Sequence, residues 1–294
     1  MKVSMTKKVF LYLASGVLVL WLLGPLLWIV DASFQLDNEL FSVPPHWIPE
    51  NPTLDNYIFI ITRDPPPIYQ RAEMGHRPSG DVLAVLPALK NSIIVSSAVT
   101  ILNLAITVVA AYSFSRLKFV GRSTSFVFIM TSRLIPAIAV AIPIFVIIKN
   151  LGLLDTYYAL ILTYLAFTLP FTIWFMTKYF DFMPSDLEDA ARVDGCTRFQ
   201  ALIKVVIPLT APGLAATGAF AFMAAYSEFL FAVLLTKTMA SKTVPVVLMS
   251  AAINDDVSYA LASTGVVLAI LPPIAFALIF RNYITRGLSM AFGR

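Results

Sequence analysis

Long apolar runs alternate with short polar stretches along this chain of 294 residues. Six of the runs reach the ~20 residues that an α-helix needs to cross the ~30 Å hydrocarbon layer of a bilayer. The pattern therefore predicts transmembrane helices at 9–30, 91–115, 123–149, 156–179, 207–236 and 257–281. We expect an all-α integral membrane protein in which residues 91–281 form a single transmembrane domain.

The distribution of Lys and Arg predicts which connecting segments face the cytoplasm. With the N-terminus inside, 13 of the 21 basic residues fall in inner segments, and the short inner loops carry this excess. The cytoplasmic segments are then 1–8, the short loop after the second span, the loop 180–206 and the tail 282–294, with the basic residues that flank them. The segments 31–90 and 237–256 are then extracytoplasmic, and both termini are inside.

The first outer segment is rich in proline, which opposes long helices there. A short helix near 53–61 is compatible with its sequence. Within this segment, the stretch 64–86 is either a contact for an external partner or a solvated insertion.

The loop 180–206 contains the most informative local pattern. Ser185 and Glu188 have the spacing of a capping box, and Thr197 and Gln200 repeat it. Gly195 between them suits the left-handed conformation that ends a helix. The sequence thus predicts a helix, a glycine turn and a second helix.

The second helix is amphipathic and is followed by prolines. Pro208 and Pro212 can hold the end of the next span at an angle. One apolar stripe at i, i+3, i+4 and i+7 consists of Phe199, Leu202, Ile203 and Val206.

The stretch 189–212 resembles the EAA loop of ABC-transporter permeases, specifically those of MalG-like carbohydrate importers. Asp189-Ala190-Ala191 stands where that family has Glu-Ala-Ala, and Asp194-Gly195 follows at the family's offset. Ile207-Pro208-Leu209 and Pro212 close the motif. The chain departs from the family pattern at Asp189, which stands in place of Glu and keeps a carboxylate on a side chain that is one methylene shorter.

The resemblance implies a type I ABC importer permease fold and a permease subunit for a sugar or sugar-like solute. The 180–206 loop would then couple ATP hydrolysis by partner subunits to alternating access. Small residues would let a partner backbone come close, and carboxylates would offer charge to its Arg or Lys side chains. The implied coupling residues are Glu188, Asp189, Ala190, Ala191, Asp194, Gly195, Phe199 and Pro208.

The same resemblance implies the partners and the location. We expect a second, homologous permease subunit in a heterodimer, two ATP-binding subunits, and an extracytoplasmic solute-binding protein. ATP and Mg would be held by the ATP-binding subunits and no cofactor by this chain, which has no Gly-rich P-loop. The chain is thus predicted not to be an enzyme, and to lie in the plasma membrane of a bacterium or archaeon.

Two charged residues well inside the predicted spans, Arg133 and Glu228, are candidates for the substrate path. The alternative for each is structural pairing or snorkelling to an interface. Residues with rings or amides that could contact a sugar, unless they face lipid or only pack, are Asn103, Tyr112, Tyr164, Trp174 and Tyr226. By position in the family, the outer-loop candidates for contact with the binding protein are Met239, Ser241 and Lys242.

Composition excludes other classes. The chain is 59% hydrophobic and 13% charged with mean hydropathy +0.81, whereas soluble domains have ~25% charged residues. No catalytic set or metal motif occurs, Cys196 is the single cysteine, and no basic stripe suggests nucleic acid. The alternative transporter is an ion-coupled secondary carrier, which predicts internal repeats and acidic residues at the midplane; within the spans only Glu228 is acidic.

Overall fold

The computed structural model describes residues 5–44, 46–67, 80–253 and 258–291. Within these ranges every regular element is a helix and no strand occurs, which confirms the all-α class. The stretch 64–86 is described only in part, because residues 68–79 lie outside the described ranges.

The helices are numbered here in chain order. The first seven are α1 (Met5–Ala32), α2 (Asp37–Leu40), α3 (Asp55–Thr62), α4 (Gly80–Leu83), α5 (Val85–Arg116), α6 (Arg122–Ser132) and α7 (Ala137–Asn150). Next come α8 (Tyr157–Asp181), α9 (Asp186–Val193), α10 (Arg198–Ala201), a π-helical turn (Leu202–Val206) and α11 (Ile207–Leu209). The last are α12 (Ala211–Tyr226), α13 (Leu230–Leu235), α14 (Val244–Ile253) and α15 (Tyr259–Ala291).

Helix length and composition agree with a protein that crosses a membrane several times. Among the described residues, α1, α5, α8 and α15 each contain a stretch long and apolar enough to span a bilayer. Two further candidates are bent pairs: α6 and α7 meet at 97°, and Arg198–Leu209 meets α12 at 80°. Counting each bent pair as one span gives up to six by length and composition. The second pair begins inside the segment 180–206 that was expected to be a cytoplasmic loop, so its limits differ from those of the predicted span 207–236.

The bend between α6 and α7 divides the stretch 123–149, which was expected to be one continuous helix. Its cause is Pro136, which lacks an N–H to donate and disfavours helical backbone at the preceding residue. Pro136 takes the N-cap position of α7. Pro143, by contrast, is accommodated inside α7. Arg133 therefore lies in a break between helices rather than within one.

One compact unit of the chain comprises Met1–Pro87 and Val247–Leu271. In keeping with its proline content, its outer segment forms only short helices, of which α3 lies close to the expected position. The turn that follows α1 is held by the buried side chain of Asn56, which lies in α3. Its amide donates to the carbonyl oxygens of Ser33 at 3.0 Å and Gln35 at 2.8 Å.

The other unit comprises Ala88–Val246 and Pro272–Arg294. At its centre α8 buries most of its length, and polar side chains cross between α5 and α8. Asn103 donates to the Thr168 hydroxyl at 2.9 Å. One turn further along each helix, the hydroxyls of Thr107 and Thr172 lie 2.9 Å apart in a second bond of this kind. Such bonds hold membrane helices together, since lipid offers these groups no partner.

Candidate functional site

The segment between α8 and α12 folds as the helix, turn and helix that its sequence predicts. Gly195 ends α9 with φ of +90°, in the left-handed region. Thr197 caps α10: its hydroxyl accepts from the Gln200 N–H at 3.2 Å, and the Gln200 side chain accepts from the Thr197 N–H at 2.9 Å. The glycine turn and this capping box are confirmed. We refer to residues 186–201 as the helix pair.

Most of the helix pair is open to contact with another molecule. Val193 is 88% exposed and Phe199 is 64% exposed. The carboxylates of Asp186, Asp189 and Asp194 are also on the surface. Large apolar side chains bordered by carboxylates suit a surface that another protein covers.

The apolar stripe expected on the second helix is only half buried. Leu202 and Val206 are in the core, whereas Phe199 and Ile203 are exposed. The reason is the π-helical turn Leu202–Val206, whose wider spacing rotates the stripe away from the ideal period. Phe199 is consequently presented outward.

Glu188 behaves differently from the other acidic residues of α9. It is only 7% exposed. Its carboxylate accepts a hydrogen bond from the Tyr112 hydroxyl and lies 3.5 Å from Nε of Arg116, both on α5. The expected capping box with Ser185 is wrong, because the Ser185 side chain makes no capping bond and Glu188 turns to α5. In this conformation the charge of Glu188 is directed to α5.

The chain then turns sharply into α12, as the prolines predict. Pro208 lies in α11, just before the 80° bend. At the bend, the Thr210 hydroxyl donates to the Val206 carbonyl oxygen at 2.7 Å. Gly213 permits a close approach to α8, since a Cβ there would lie 2.8 Å from the Tyr179 ring. The angle between the helix pair and α12 is thus fixed by packing.

Three of the predicted substrate-path residues line one cavity of about 380 Å³. Arg133 comes from the break before α7, Tyr164 from α8, and Glu228 from the break between α12 and α13. These elements also contribute apolar and aromatic walls. The rest of the lining includes Leu134, Ile135, Pro136, Ala137, Phe167, Thr168, Phe220, Ala224 and Phe231.

The side chain of Arg133 is held in place by aromatic rings and one carbonyl group. Its guanidinium carbon lies 5.4 Å from the centroid of Phe171 and 5.8 Å from that of Phe220. Nη1 donates to the Phe167 carbonyl oxygen at 3.2 Å. The remaining N–H groups of an exposed guanidinium are available to a solute, because Arg carries five donors.

Glu228 has a structural role at the start of α13. Its carboxylate caps α13 by accepting from the backbone N–H groups of Phe231 at 2.9 Å and Ala232 at 3.1 Å. No ion pair to Glu228 occurs within the described ranges.

The other predicted sugar contacts lie elsewhere. Asn103 is fully buried in its bond to Thr168, and Tyr226 is buried against Phe222, with ring centroids 5.8 Å apart. The Tyr112 hydroxyl donates to the Glu188 carboxylate, and Trp174 is 38% exposed. Asn103 and Tyr226 are therefore both buried in this conformation, and neither lines the cavity.

Asp155 holds the outer loop after α13 in place, although nothing in the sequence marked this residue. Its carboxylate accepts from the N–H groups of Lys237 at 2.9 Å and Thr238 at 3.1 Å. It also accepts from the hydroxyls of Thr238 and Ser241, both at 2.6 Å. Burial alone would raise the pKa of Asp155, but these hydrogen bonds outweigh it and lower the pKa to about 2.

A second anchor of that loop is Asn91, whose amide donates to the carbonyl oxygens of Met239 at 3.0 Å and Lys242 at 2.9 Å. Ser241, predicted to contact a binding protein, is fully buried and holds the loop instead. Met239 and Lys242 remain partly exposed. The exposed tip of the loop is formed by Lys237, Thr238 and Ala240.

Membrane-crossing helices, an exposed polar helix pair and a cavity with charged lining define a membrane transport protein. The family described as binding-protein-dependent transport system inner membrane component matches residues 103–290. The trehalose/maltose transport system permease protein MalG of Thermococcus litoralis is 32% identical, covering 98% of each chain. The chain belongs to this family of transport-system inner membrane components.

Two more comparisons agree. The sulfoquinovosyl glycerol transport system permease protein SmoH of Agrobacterium fabrum is 32% identical over 95% of this chain and 91% of its own. A bacterial ABC transporter involved in importing the acidic polysaccharide alginate has a chain with a TM-score of 0.76. That chain is 20% identical, and the match covers 96% of this chain and 99% of that one.

The resemblance drawn from residues 189–212 is therefore confirmed. The chain is a permease subunit of an ABC importer and lies in the inner membrane, and its relatives come from bacteria and archaea. It has the fold of such permeases. Members of the family work with other ABC subunits and with a binding protein.

Proposed function

We propose that this chain conducts a sugar or sugar-like solute across the membrane. The observation that carries the proposal is the cavity of about 380 Å³ that brings Arg133, Tyr164 and Glu228 together. Similar permeases are named for the transport of trehalose or maltose and of sulfoquinovosyl glycerol. The solute class is consistent with both observations.

The cavity has the chemistry that a polyhydroxylated solute needs. Its volume lies within the ~300–1,000 Å³ of typical small-molecule pockets. Solute hydroxyls can accept from the Arg133 guanidinium and donate to the Glu228 carboxylate. The rings of Phe167, Phe220 and Phe231 offer apolar faces for the C–H side of a pyranose.

ATP-driven motion enters this chain through the helix pair. Asp189 and Asp194 present carboxylates, Phe199 presents a ring, and the small Ala190 leaves room for a partner's backbone. Gly195 permits the sharp turn between the helices, and the bend after Pro208 carries motion into α12. In this proposal the ATP and Mg lie in the partner subunits, and this chain performs no hydrolysis.

The complete assembly in this proposal has a second, homologous permease subunit, two ATP-binding subunits and an extracytoplasmic binding protein. The helix pair then faces the cytoplasm, and the loop fastened by Asp155 faces the binding protein. Lys237, Thr238 and Ala240 form the contact together with the partly exposed Met239 and Lys242.

The test is reconstitution of the complete transporter in proteoliposomes with its binding protein, using trehalose and maltose as test solutes. We expect uptake that requires ATP, and ATP hydrolysis that rises when loaded binding protein is present. Arg133→Met should lower uptake, whereas a conservative change at the exposed Asn150, Asn150→Gln, should not. Uptake driven by an ion gradient without ATP would support the secondary carrier instead.

A further inference from the structure

The carboxylate of Glu188 joins two elements that are far apart in sequence. It belongs to α9 of the helix pair, whereas its partners Tyr112 and Arg116 belong to the last two turns of α5. The side chains of Arg116 and Glu188 are 15% and 9% exposed, so the pair is shielded from water. A buried charge that loses its counter-charge is strongly disfavoured, which makes this contact hard to break.

Arg116 also holds the beginning of α9 through the backbone. Its Nη2 donates to the Met183 carbonyl oxygen at 2.6 Å, in the turn that connects α8 with α9. The distance from its Nε to Glu188 is 3.5 Å, which is that of an ion pair rather than a tight hydrogen bond. The end of α5 therefore contacts α9 at its entry turn and at its buried face.

We propose that Tyr112, Arg116 and Glu188 form an interlock that makes α9 and the end of α5 move as one body. Glu188 is then a positioning residue for coupling, facing inward, while the outward carboxylates meet the partner. The inference rests on the proposed function, in which the helix pair receives motion from an ATP-binding subunit.

The interlock gives that motion a second route into the membrane helices. Without it, a displacement of α9 reaches the spans through the turn into α8 on one side and, on the other, through the Gly195 turn and the packing of α9 against α10 and the π-helical turn. A turn with nothing packed within 4 Å of the position of a Cβ, as at Gly195, can absorb part of such a displacement. The buried contact with α5 transmits it directly, because packed elements shift as units.

The experiment measures solute uptake and ATP hydrolysis together, in proteoliposomes holding the complete transporter, with trehalose and maltose as probes. Glu188→Gln keeps the size of the side chain and an acceptor for Tyr112 but removes the charge facing Arg116. We expect hydrolysis to continue while the solute imported per ATP falls about fivefold, the size typical of a coupling perturbation. The double variant Glu188→Gln/Arg116→Gln should be no worse than Arg116→Gln alone, because Arg116→Gln already removes the charge that faces Glu188.

The matched control is Lys178→Gln, which breaks the exposed pair between Lys178 and Asp181 (3.8 Å) within α8 and leaves the α5–α9 contact intact. Its uptake per ATP should equal that of the unmodified transporter. If Glu188→Gln does not assemble, Tyr112→Phe, which removes one hydroxyl, becomes the deciding variant. Unchanged uptake per ATP in the deciding variant overturns the interlock, whereas absence of ATP-driven uptake in the unmodified transporter overturns the proposed function itself.

Discussion

The fastening of the outer loop by Asp155 yields a quantitative prediction. Asp155→Asn removes the negative charge but keeps a side-chain oxygen and a residue type that tolerates left-handed backbone, which matters because φ is +61° here. The four hydrogen bonds to this carboxylate should weaken together. The loop should then open more often, without any change in the helices that flank it.

The magnitude follows from the lowered pKa. The difference between about 4, the ordinary pKa of an aspartate, and about 2 corresponds to about 2.5 kcal/mol. Asp155 is partly exposed, and solvent screening reduces the usable amount to about 1 kcal/mol. Because folding lowers this pKa, the stabilisation is complete above about pH 4 and is lost as the pH falls towards about 2.

The assay is hydrogen–deuterium exchange of the complete transporter in nanodiscs, followed at the Lys237 and Thr238 amides that donate to Asp155. A loss of about 1 kcal/mol should speed their exchange about fivefold near neutral pH. Asp64→Asn removes an exposed carboxylate elsewhere and should leave these amides unchanged. If Asp155→Asn also leaves their exchange within twofold, the assigned role of the carboxylate is refuted.

Three further predictions concern the coupling and cavity residues. Gly195→Leu forces an L side chain into φ of +90°, at a cost of about 1–2 kcal/mol, and should reduce co-purification of the ATP-binding subunit. Arg133→Lys loses the flat contact with two aromatic rings, worth about 0.5–2 kcal/mol, and should lower uptake but not basal ATP hydrolysis. Gly213→Ala places a Cβ against the Tyr179 ring and should lower the unfolding temperature, as expected for overpacking of about 1–3 kcal/mol.

Each of these predictions has an outcome that contradicts it. If Gly195→Leu recovers the normal amount of ATP-binding subunit, the Gly195 turn is not needed for docking. Full uptake by Arg133→Lys would mean that the rings do not orient the guanidinium for the solute. For Gly213→Ala, a smaller residue at position 179 should restore the unfolding temperature. If it does not, the strain does not come from the contact with the Tyr179 ring.

Local sequence rules succeeded where the interactions are local. The Gly195 turn and the Thr197 cap depend on neighbours within three or four residues, and both form as the sequence predicts. The same rule failed at Ser185, where an identical spacing was present. There Glu188 is satisfied by side chains on α5, and that long-range contact prevails over the local cap.

Residue type also identified the charged residues inside the spans, but not the side chains that surround them. Arg133 and Glu228 stand out because an ionisable group in a span needs a polar environment. Asp155 and Asn91 gave no such signal, since polar residues at the ends of spans are ordinary. The sequence suggested that Ser241 lies at the exposed tip of the outer loop. Its side chain is instead buried and donates one of the hydrogen bonds that hold the loop.

The sequence by itself determined the all-helical class, the presence of several long apolar helices and the family, because long apolar runs and a spaced motif are written in consecutive residues. Tertiary structure alone decided that Arg133, Tyr164 and Glu228 share one cavity while Asn103 and Tyr226 do not. It also decided that Glu188 faces inward and the other carboxylates of α9 outward. The physical reason is that burial and hydrogen-bond partners depend on how helices distant in sequence pack, and no local spacing encodes that choice.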